Sequence, residues 1–160
     1  MKDIPRIASF TVDHDLITPG IYISRIDGDV ITYDLRTRTP NSGDLMSNAA
    51  MHSLEHMFAT YVRASEIGDK VLYFGPMGCQ TGFYLLVRDC KKETVGRVVL
   101  LVLRSIISHS GEMFGATRKE CGNYQNLSLA LAKEECARYL LVLERGEMTF
   151  NYPMKKEDKQ

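Results

Sequence analysis

Apolar and polar residues alternate at a spacing of two over residues 21–37. The apolar positions on one alternating face are Ile21, Ile23, Ile31, Tyr33 and Leu35. The sequence Asp27-Gly28-Asp29 interrupts them in the middle and is typical of a tight turn. The pattern therefore predicts an antiparallel β-hairpin.

Two further short strands are predicted over residues 71–74 and 81–88. They flank the turn sequence Gly75-Pro76-Met77-Gly78, in which glycine and proline favour a change of chain direction. This arrangement places Cys79 at the entrance of the second strand. We therefore expect Cys79 near an edge or mouth of the sheet.

Helical periodicity marks two segments in the middle of the chain. The first begins at the N-cap candidate Ser47 and runs to about Glu66, with Gly68 where a left-handed residue would end it. The second, near residues 94–110, is apolar almost all round. Such a helix must be covered on more than one side, by a sheet or a partner chain.

A third helix is predicted over about residues 129–145. Its apolar stripe consists of Leu129, Ala132, Cys136, Leu140 and Leu143. Cys136 is therefore interpreted as a packing residue. Three helices separated by hairpin-like strands indicate one α+β domain over residues 1–160, with an antiparallel or mixed sheet. The charged residues at the end predict a frayed tail over 155–160.

Composition narrows the classes of partner. The chain has 160 residues, of which 44% are apolar and 25% charged, as in an ordinary globular protein. Twenty basic residues balance twenty acidic ones, so neither nucleic acid nor an anionic membrane is indicated as a partner. The longest apolar run, Val98 to Leu103, is too short to span a bilayer. Charged residues near the N-terminus interrupt any secretory signal, which predicts a cytoplasmic location.

The four cysteines are predicted to be reduced thiols. They are Cys79, Cys90, Cys121 and Cys136, and no two form a Cys-x-x-Cys pair. A domain of this length does not need disulfides for stability. Each thiol must then be a packing group, a metal ligand or a nucleophile.

The segment His52-Ser53-Leu54-Glu55-His56 carries the sharpest chemical signal. Four helical residues turn through about 400°, so both imidazoles lie on one face and can reach one ion. Glu55 lies beside them, where a carboxylate can move protons on an atom that the metal polarises. The alternative is a chance pair of histidines on one helix.

A metal site needs a third protein ligand, and the candidates are His14, His109, Cys79 and Cys121. Cys121 is preferred because it lies in a polar, glycine-containing loop whose cations favour thiolate, although it can also be an incidental loop thiol. Cys79, between small residues, is a candidate nucleophile or base, or else a small buried side chain. His109, at a helix end, is interpreted as a capping or core residue.

Several motifs together resemble one enzyme family, S-ribosylhomocysteine lyase (LuxS). They are Ser9-Phe10, Asp13-His14, Asp34-Leu35-Arg36, Pro40-Asn41, His52-x-x-Glu55-His56, Pro76-Met77-Gly78-Cys79-Gln80-Thr81-Gly82 and Cys121-Gly122. The His-x-x-Glu-His piece is shared with unrelated zinc peptidases. The Pro-Met-Gly-Cys-Gln-Thr-Gly piece is distinctive, and the matching order covers nearly the whole chain.

The resemblance implies a homodimer with two active sites at the subunit interface. It also implies ferrous iron as the native metal, which zinc or cobalt can replace. By matching position, His52, His56 and Cys121 would hold the metal, while Glu55 and Cys79 would perform acid–base work.

The resemblance assigns substrate contacts as well. Ser9, His14 and Arg36 would contact the sugar from the neighbouring subunit, and Arg63 would lie near the amino-acid end. One departure is visible: where the family commonly has Asp-Ile-Ser, this chain has Tyr73-Phe74-Gly75, so a carboxylate near the substrate's amino group is absent.

The implied activity is cleavage of S-ribosylhomocysteine to homocysteine and 4,5-dihydroxy-2,3-pentanedione, the precursor of autoinducer-2. Two alternatives stay open at this point. In a metallopeptidase, Glu55 would activate a metal-bound water and Cys79 would be idle. In a protein-binding module, a structural metal would take four protein ligands, of which only three candidates are persuasive.

Overall fold

Four strands form one antiparallel sheet in the computed structural model of the chain, which describes residues 3–154. They are β1 (Gly20–Asp27), β2 (Val30–Arg36), β3 (Val71–Pro76) and β4 (Gly82–Arg88), in the order β1-β2-β4-β3. The predicted hairpin is confirmed, with Ile21 opposite Leu35 and Ile23 opposite Tyr33. The tail predicted over 155–160 lies outside the described residues.

Three α-helices are present among the described residues: α1 (Asn48–Arg63), α2 (Lys92–Ser108) and α3 (Leu129–Arg145). Single turns of 3-10 helix lie at Ala8–Phe10, Gly68–Lys70 and Tyr124–Asn126. The α+β class is therefore confirmed, and α3 has the predicted bounds. Helix α2 begins at Lys92 and ends at Ser108 rather than spanning residues 94–110.

The alternation of the strands separates an apolar face of the sheet from a polar one. On β2 the side chains of Tyr33 and Leu35 are buried in the core that the helices cover. Asp34 and Arg36 point to the opposite face, because successive side chains of a strand point to opposite sides. Both side chains are nevertheless buried, so this part of the outer face is covered and not exposed to solvent.

Helix α1 packs against β3, while α2 packs against both α1 and α3. The prediction that α2 is covered on more than one side is thus confirmed, with helices as the cover. Met148 and Phe150 close another side, where they lie against Gly96. Cys136 on α3 is fully buried, as its place in the apolar stripe predicted.

The start of α1 lies where the sequence predicted it, but its end does not. At the start, the backbone N–H of Ala50 donates to the Ser47 hydroxyl at 3.1 Å, which confirms the N-cap. The helix ends at Arg63, with Ala64 as its C-cap, three residues before the predicted end at about Glu66. In the turn that follows, the Ser65 hydroxyl donates to the Val62 carbonyl at 2.6 Å.

The role predicted for Gly68 is also wrong. Gly68 is not in the left-handed region and begins a 3-10 turn. A Cβ at this position would lie 2.0 Å from the Arg63 carbonyl oxygen, so the glycine is needed for close packing against the end of α1.

No helix within residues 3–154 is both long enough and apolar enough to cross a membrane.

Replacing Gly68 tests this contact. Because the added Cβ would meet backbone rather than a flexible side chain, Gly68→Ala should lower the free energy of unfolding by about 1–3 kcal/mol. The matched control is Gly146→Ala, where the nearest atom to the added Cβ is 3.8 Å away. The control should change stability by less than about 0.5 kcal/mol in urea titrations. Equal stability of the two variants would contradict the assigned role of Gly68.

Candidate functional site

Helix α1 and the loop between α2 and α3 bring three potential metal ligands together. The rings of His52 and His56 lie 4.7 Å apart between centroids, on adjacent turns of α1. Cys121 comes from the loop, and its Sγ lies 3.4 Å from His52 Nε2. The ligand atoms of the three residues all lie within 4.8 Å of one another.

The hydrogen bonds of the two imidazoles select one tautomer for each ring. His52 Nδ1 donates to Asn126 Oδ1 at 2.6 Å, and His56 Nδ1 donates to the Phe114 carbonyl at 3.0 Å. Because an oxygen of this kind only accepts, Nδ1 carries a proton in each ring, and in a neutral imidazole Nε2 is then the atom with the lone pair. Two imidazole nitrogens and one cysteine sulfur form a donor set that suits a divalent transition metal.

The loop that carries Cys121 is tied to α1 at two further points. Asn126 Nδ2 donates to Asn48 Oδ1 at 3.1 Å, and the backbone N–H of Ser128 donates to the buried Ser53 hydroxyl at 2.8 Å. The backbone N–H of Asn123 also donates to Cys121 Sγ at 3.4 Å. These bonds fix the sulfur relative to the helix.

The sequence patterns did not identify two residues that support the histidines. Asn126 orients His52, and Gly115 makes room for His56, since a Cβ at Gly115 would lie 2.9 Å from His56 Nδ1. Gly115 also has a positive φ of 62°, a conformation that favours glycine. The sequence shows a polar loop that contains glycine, but the spacing of its residues does not indicate which of them contact the histidines.

Glu55 lies on α1 between the two histidines in sequence, and its side chain is half-buried. Within residues 3–154, its carboxylate forms no hydrogen bond or ion pair. A carboxylate without a structural partner is free to accept and return protons.

The other proposed third ligands lie in different settings. The Tyr61 hydroxyl donates to His109 Nδ1 at 2.8 Å, and His109 Nε2 donates to the Glu112 carbonyl at 2.8 Å. Both ring nitrogens are therefore used, and the residue caps the end of α2, as a structural histidine does. His14 is half-buried, with Nδ1 at 3.0 Å from the Val12 carbonyl, and Ser9 lies in the first 3-10 turn.

A second cluster surrounds Cys79 in the turn between β3 and β4. The thiol is exposed, and its Sγ lies 3.0 Å from the Thr81 hydroxyl. Arg36 Nη1 donates to Thr81 Oγ1 at 2.7 Å and points to Cys79 Sγ at 3.9 Å. A guanidinium this close opposes the negative charge of a thiolate.

Asp34 holds Arg36 in that place with two hydrogen bonds. Arg36 Nε donates to Oδ1 at 3.1 Å and Nη2 donates to Oδ2 at 2.6 Å, and both side chains are buried. Burial alone would lower the pKa of Arg36, but the hydrogen bonds and charge of Asp34 raise it above its ordinary value. Arg36 therefore remains a cation beside the thiol.

The thiol cluster and the three metal-ligand candidates share no residue, but hydrogen bonds between Met46 and Gln80 connect the segments that carry them. The backbone N–H of Met46 donates to the Gln80 carbonyl at 3.1 Å, and Gln80 Nε2 donates to the Met46 carbonyl at 2.9 Å. Gln80 follows Cys79, and Met46 precedes the N-cap of α1. The turn with the thiol is thereby fixed against the start of the helix with the histidines.

Arg63 and the segment that departs from the family pattern lie near the start of β3. The exposed Arg63 donates to the carbonyls of Val71 and Leu72 at 3.0 and 3.4 Å. Tyr73 is half-exposed and folds over Gly75, where a Cβ would lie 2.0 Å from the Tyr73 hydroxyl oxygen. A side chain at position 75 would therefore displace the flexible Tyr73 ring from this position.

Comparison with known proteins gives a consistent result. A family model described as S-ribosylhomocysteinase (LuxS) matches residues 7–148. An S-ribosylhomocysteine lyase of Borreliella burgdorferi strain ZS7 is 42% identical over 155 residues, which cover 92% of this chain and 99% of the relative. Those of Clostridium beijerinckii and Phocaeicola vulgatus are 38% and 43% identical, over 92% and 88% of this chain and 98% and 89% of the relatives.

Removing the partner of His52 tests whether the three ligand candidates act as a metal site. Asn126→Ala leaves all three in place but frees the His52 ring, so affinity for zinc should fall by about 10- to 100-fold in titrations against a competing chelator. Asn48→Ala is the matched control, because it removes the other hydrogen bond of the same amide and spares His52. Unchanged affinity of the Asn126 variant would refute this role.

Proposed function

The chain belongs to the S-ribosylhomocysteinase (LuxS) family, and from this membership we infer that it is a carbon–sulfur lyase that cleaves S-ribosylhomocysteine. The products are homocysteine and 4,5-dihydroxy-2,3-pentanedione, the precursor of autoinducer-2. The observation that carries this conclusion is that both clusters, His52–His56–Cys121 and Cys79–Arg36–Asp34, fall within the residues that the family model matches.

The substrate explains why two proton-moving groups are needed. Its sulfur is attached to the fifth carbon of the ribose, and that bond breaks by β-elimination only when a carbonyl stands at the third carbon. Two successive shifts must therefore move the carbonyl from the first carbon to the third. Each shift removes a proton from one carbon and delivers one to its neighbour, and the final step removes the proton at the fourth carbon as the homocysteine sulfur leaves.

We propose that His52, His56 and Cys121 hold a divalent metal, with ferrous iron as the native ion and zinc or cobalt able to replace it. The observation that supports this is the donor set of two Nε2 lone pairs and one sulfur within 4.8 Å. When bound, such an ion supplies Lewis acidity for the developing charge on a sugar oxygen. Three protein ligands leave a further position open, unlike a structural zinc site with four.

We assign the proton transfers to Glu55 and Cys79. Glu55 extends from the same turn of α1 as the histidines and has no competing hydrogen bond within residues 3–154. Cys79 is exposed and lies beside the Arg36 guanidinium, which stabilises an anionic sulfur. Two bases approaching the sugar from different sides are the minimum that the shifts require.

We further propose that the enzyme is a homodimer with its active sites at the subunit interface. Ser9, His14 and Arg36 would contact the sugar from the neighbouring subunit. Because Arg36 touches Cys79 within one chain, these two residues must enter the same site together. The segment that carries Ser9 also exposes Ile4, Ile7 and Phe10 by 91%, 56% and 64%, as expected of side chains that a partner covers.

Arg63 is proposed to face the amino-acid end of the substrate. Its guanidinium lies beside the first residues of β3, two positions before Tyr73, where the family's carboxylate is replaced.

The cytoplasmic location stays a prediction from the sequence.

The activity and the roles of the residues are tested together by homocysteine release from S-ribosylhomocysteine, with iron-loaded protein prepared without oxygen. Cys79→Ala and Glu55→Gln should retain the metal but turn over about 100-fold or more slowly, because each removes one proton carrier. Cys121→Ala should lose the metal, as measured by elemental analysis.

Cys90→Ala serves as the control, since that thiol donates to the neighbouring Lys91 carbonyl at 3.8 Å and belongs to neither cluster, so the variant should be fully active. Peptides incubated with the wild-type protein should remain intact, whereas a metallopeptidase would cleave them without regard to Cys79. Near-normal turnover by Cys79→Ala would exclude its role as a base, and absence of homocysteine release would exclude the lyase activity.

Co-expression of two inactive chains tests the shared site. If Cys79 of one chain serves the metal ligands of the other, mixing Cys79→Ala with Cys121→Ala leaves one intact site in each mixed dimer. Random pairing should then restore about one quarter of wild-type activity. The control pair, Cys79→Ala with Arg36→Met, should stay inactive because both residues belong to one side of a site. No recovery with the first pair would mean that each site is built within one chain.

A further inference from the structure

The buried carboxylate of Asp34 has a third donor besides the two of Arg36. The hydroxyl of Tyr152 donates to Asp34 Oδ2 at 2.7 Å, on the same oxygen that accepts from Arg36 Nη2. Tyr152 follows α3 near the end of the described chain, and it lies beyond residues 7–148, which the family model matches.

The segment that carries Tyr152 is anchored from both sides. Phe150 is buried, and its carbonyl accepts a hydrogen bond of 2.8 Å from the backbone N–H of Ile23 on β1. The Tyr152 ring stacks on Tyr22, with centroids 4.9 Å apart and planes inclined by 22°. The anchor and the stack together fix the phenol over Asp34, so its hydrogen bond is built into the fold.

The phenol remains a proton donor over the working range of pH. Burial and the negative charge of Asp34 raise the pKa of Tyr152 well above its ordinary value. Tyr84 on β4 and Tyr139 on α3 also face Asp34, and burial raises the pKa of each. Arg36 donates to the Asp34 carboxylate at 2.6 Å and points to the Cys79 sulfur at 3.9 Å, so its charge acts on both groups.

Asp34 and Cys79 compete for the charge of that single guanidinium. The hydrogen bond from Tyr152 stabilises part of the negative charge on Asp34. The charge of Arg36 is then offset less by Asp34 and acts more strongly on the Cys79 sulfur. Without the phenol, Oδ2 would lose one of its two donors inside a buried site, and the carboxylate would draw Arg36 closer.

We propose that Tyr152 is a positioning residue for the lyase reaction, which acts through Asp34 and Arg36 to keep the guanidinium against the sulfur of Cys79. The inference rests on the proposed function of Cys79 as a proton-transfer base. Tyr152 does not touch the reacting atoms itself.

Tyr152→Phe tests this proposal because it removes the hydroxyl and keeps the stacked ring. The matched control is Tyr22→Phe, which removes the hydroxyl of the other ring in the stack, one that donates to the Thr18 carbonyl at 2.7 Å and not to Asp34. The measurement is the rate of Cys79 alkylation by iodoacetamide from pH 5 to 9, followed on the Cys79 peptide by mass spectrometry, which requires no catalysis. Thermal unfolding of each variant confirms that the measurements are made on folded protein.

In Tyr152→Phe, alkylation of Cys79 at pH 7 should slow by about threefold or more, and the pH of half-maximal rate should rise. Turnover should show a lower kcat, and any rise in KM should be smaller than the fall in kcat, because Arg36 is also proposed to contact the sugar while Ser9 and His14 are unchanged. Tyr22→Phe should match wild type in the rate of Cys79 alkylation at pH 7, in the pH of half-maximal rate and in turnover. A second variant, Tyr152→Leu, should slow alkylation at least as much.

A wild-type alkylation profile in both Tyr152 variants would overturn the proposal, as would an equal effect in Tyr22→Phe. Failure of the proposed function is a separate result: it would appear as near-normal turnover of Cys79→Ala, whereas the alkylation profile decides the role of Tyr152 in either case.

Discussion

The burial of one face of α1 against the sheet determines where the groups of the site lie. Leu54, Met57 and Phe58 are almost completely buried, and the Phe58 ring stacks on Phe74 of β3 at 4.2 Å. These contacts fix the rotation of the helix about its axis. His52 and His56 are thereby presented to the loop with Cys121 rather than to the core. Packing energy that is unrelated to the chemistry thus holds the imidazoles in place.

The polar face of the sheet follows a different principle. A buried carboxylate and guanidinium are costly to desolvate, and they are tolerated when their hydrogen-bonding groups are satisfied. Asp34 accepts from Arg36 and Tyr152, and Arg36 also donates to Thr81. The part of Arg36 that reaches past Asp34 is directed at Cys79. The fold therefore directs the positive charge of a buried side chain at an exposed thiol.

Local patterns in the sequence predicted the parts of the molecule that depend on local spacing. The alternation over residues 21–37 predicted the hairpin, and the four-residue separation of His52 and His56 predicted a shared helix face. Asn126 and Tyr152 could not be found in this way, because their partners His52 and Asp34 lie 74 and 118 residues away. Gly68 was misassigned since a helix-ending glycine and one needed for close packing look alike in sequence.

The missing side chain at Gly75 gives the Tyr73 ring a place to rest on the strand. A Cβ there would lie 2.0 Å from the Tyr73 hydroxyl oxygen, which is the far end of a flexible, half-exposed side chain. A larger residue at position 75 would therefore turn the ring toward solvent without disturbing the backbone, and a smaller residue at position 73 would leave the glycine as it is. The orientation of this one ring can thus change by substitution at either position while the strand keeps its place in the sheet.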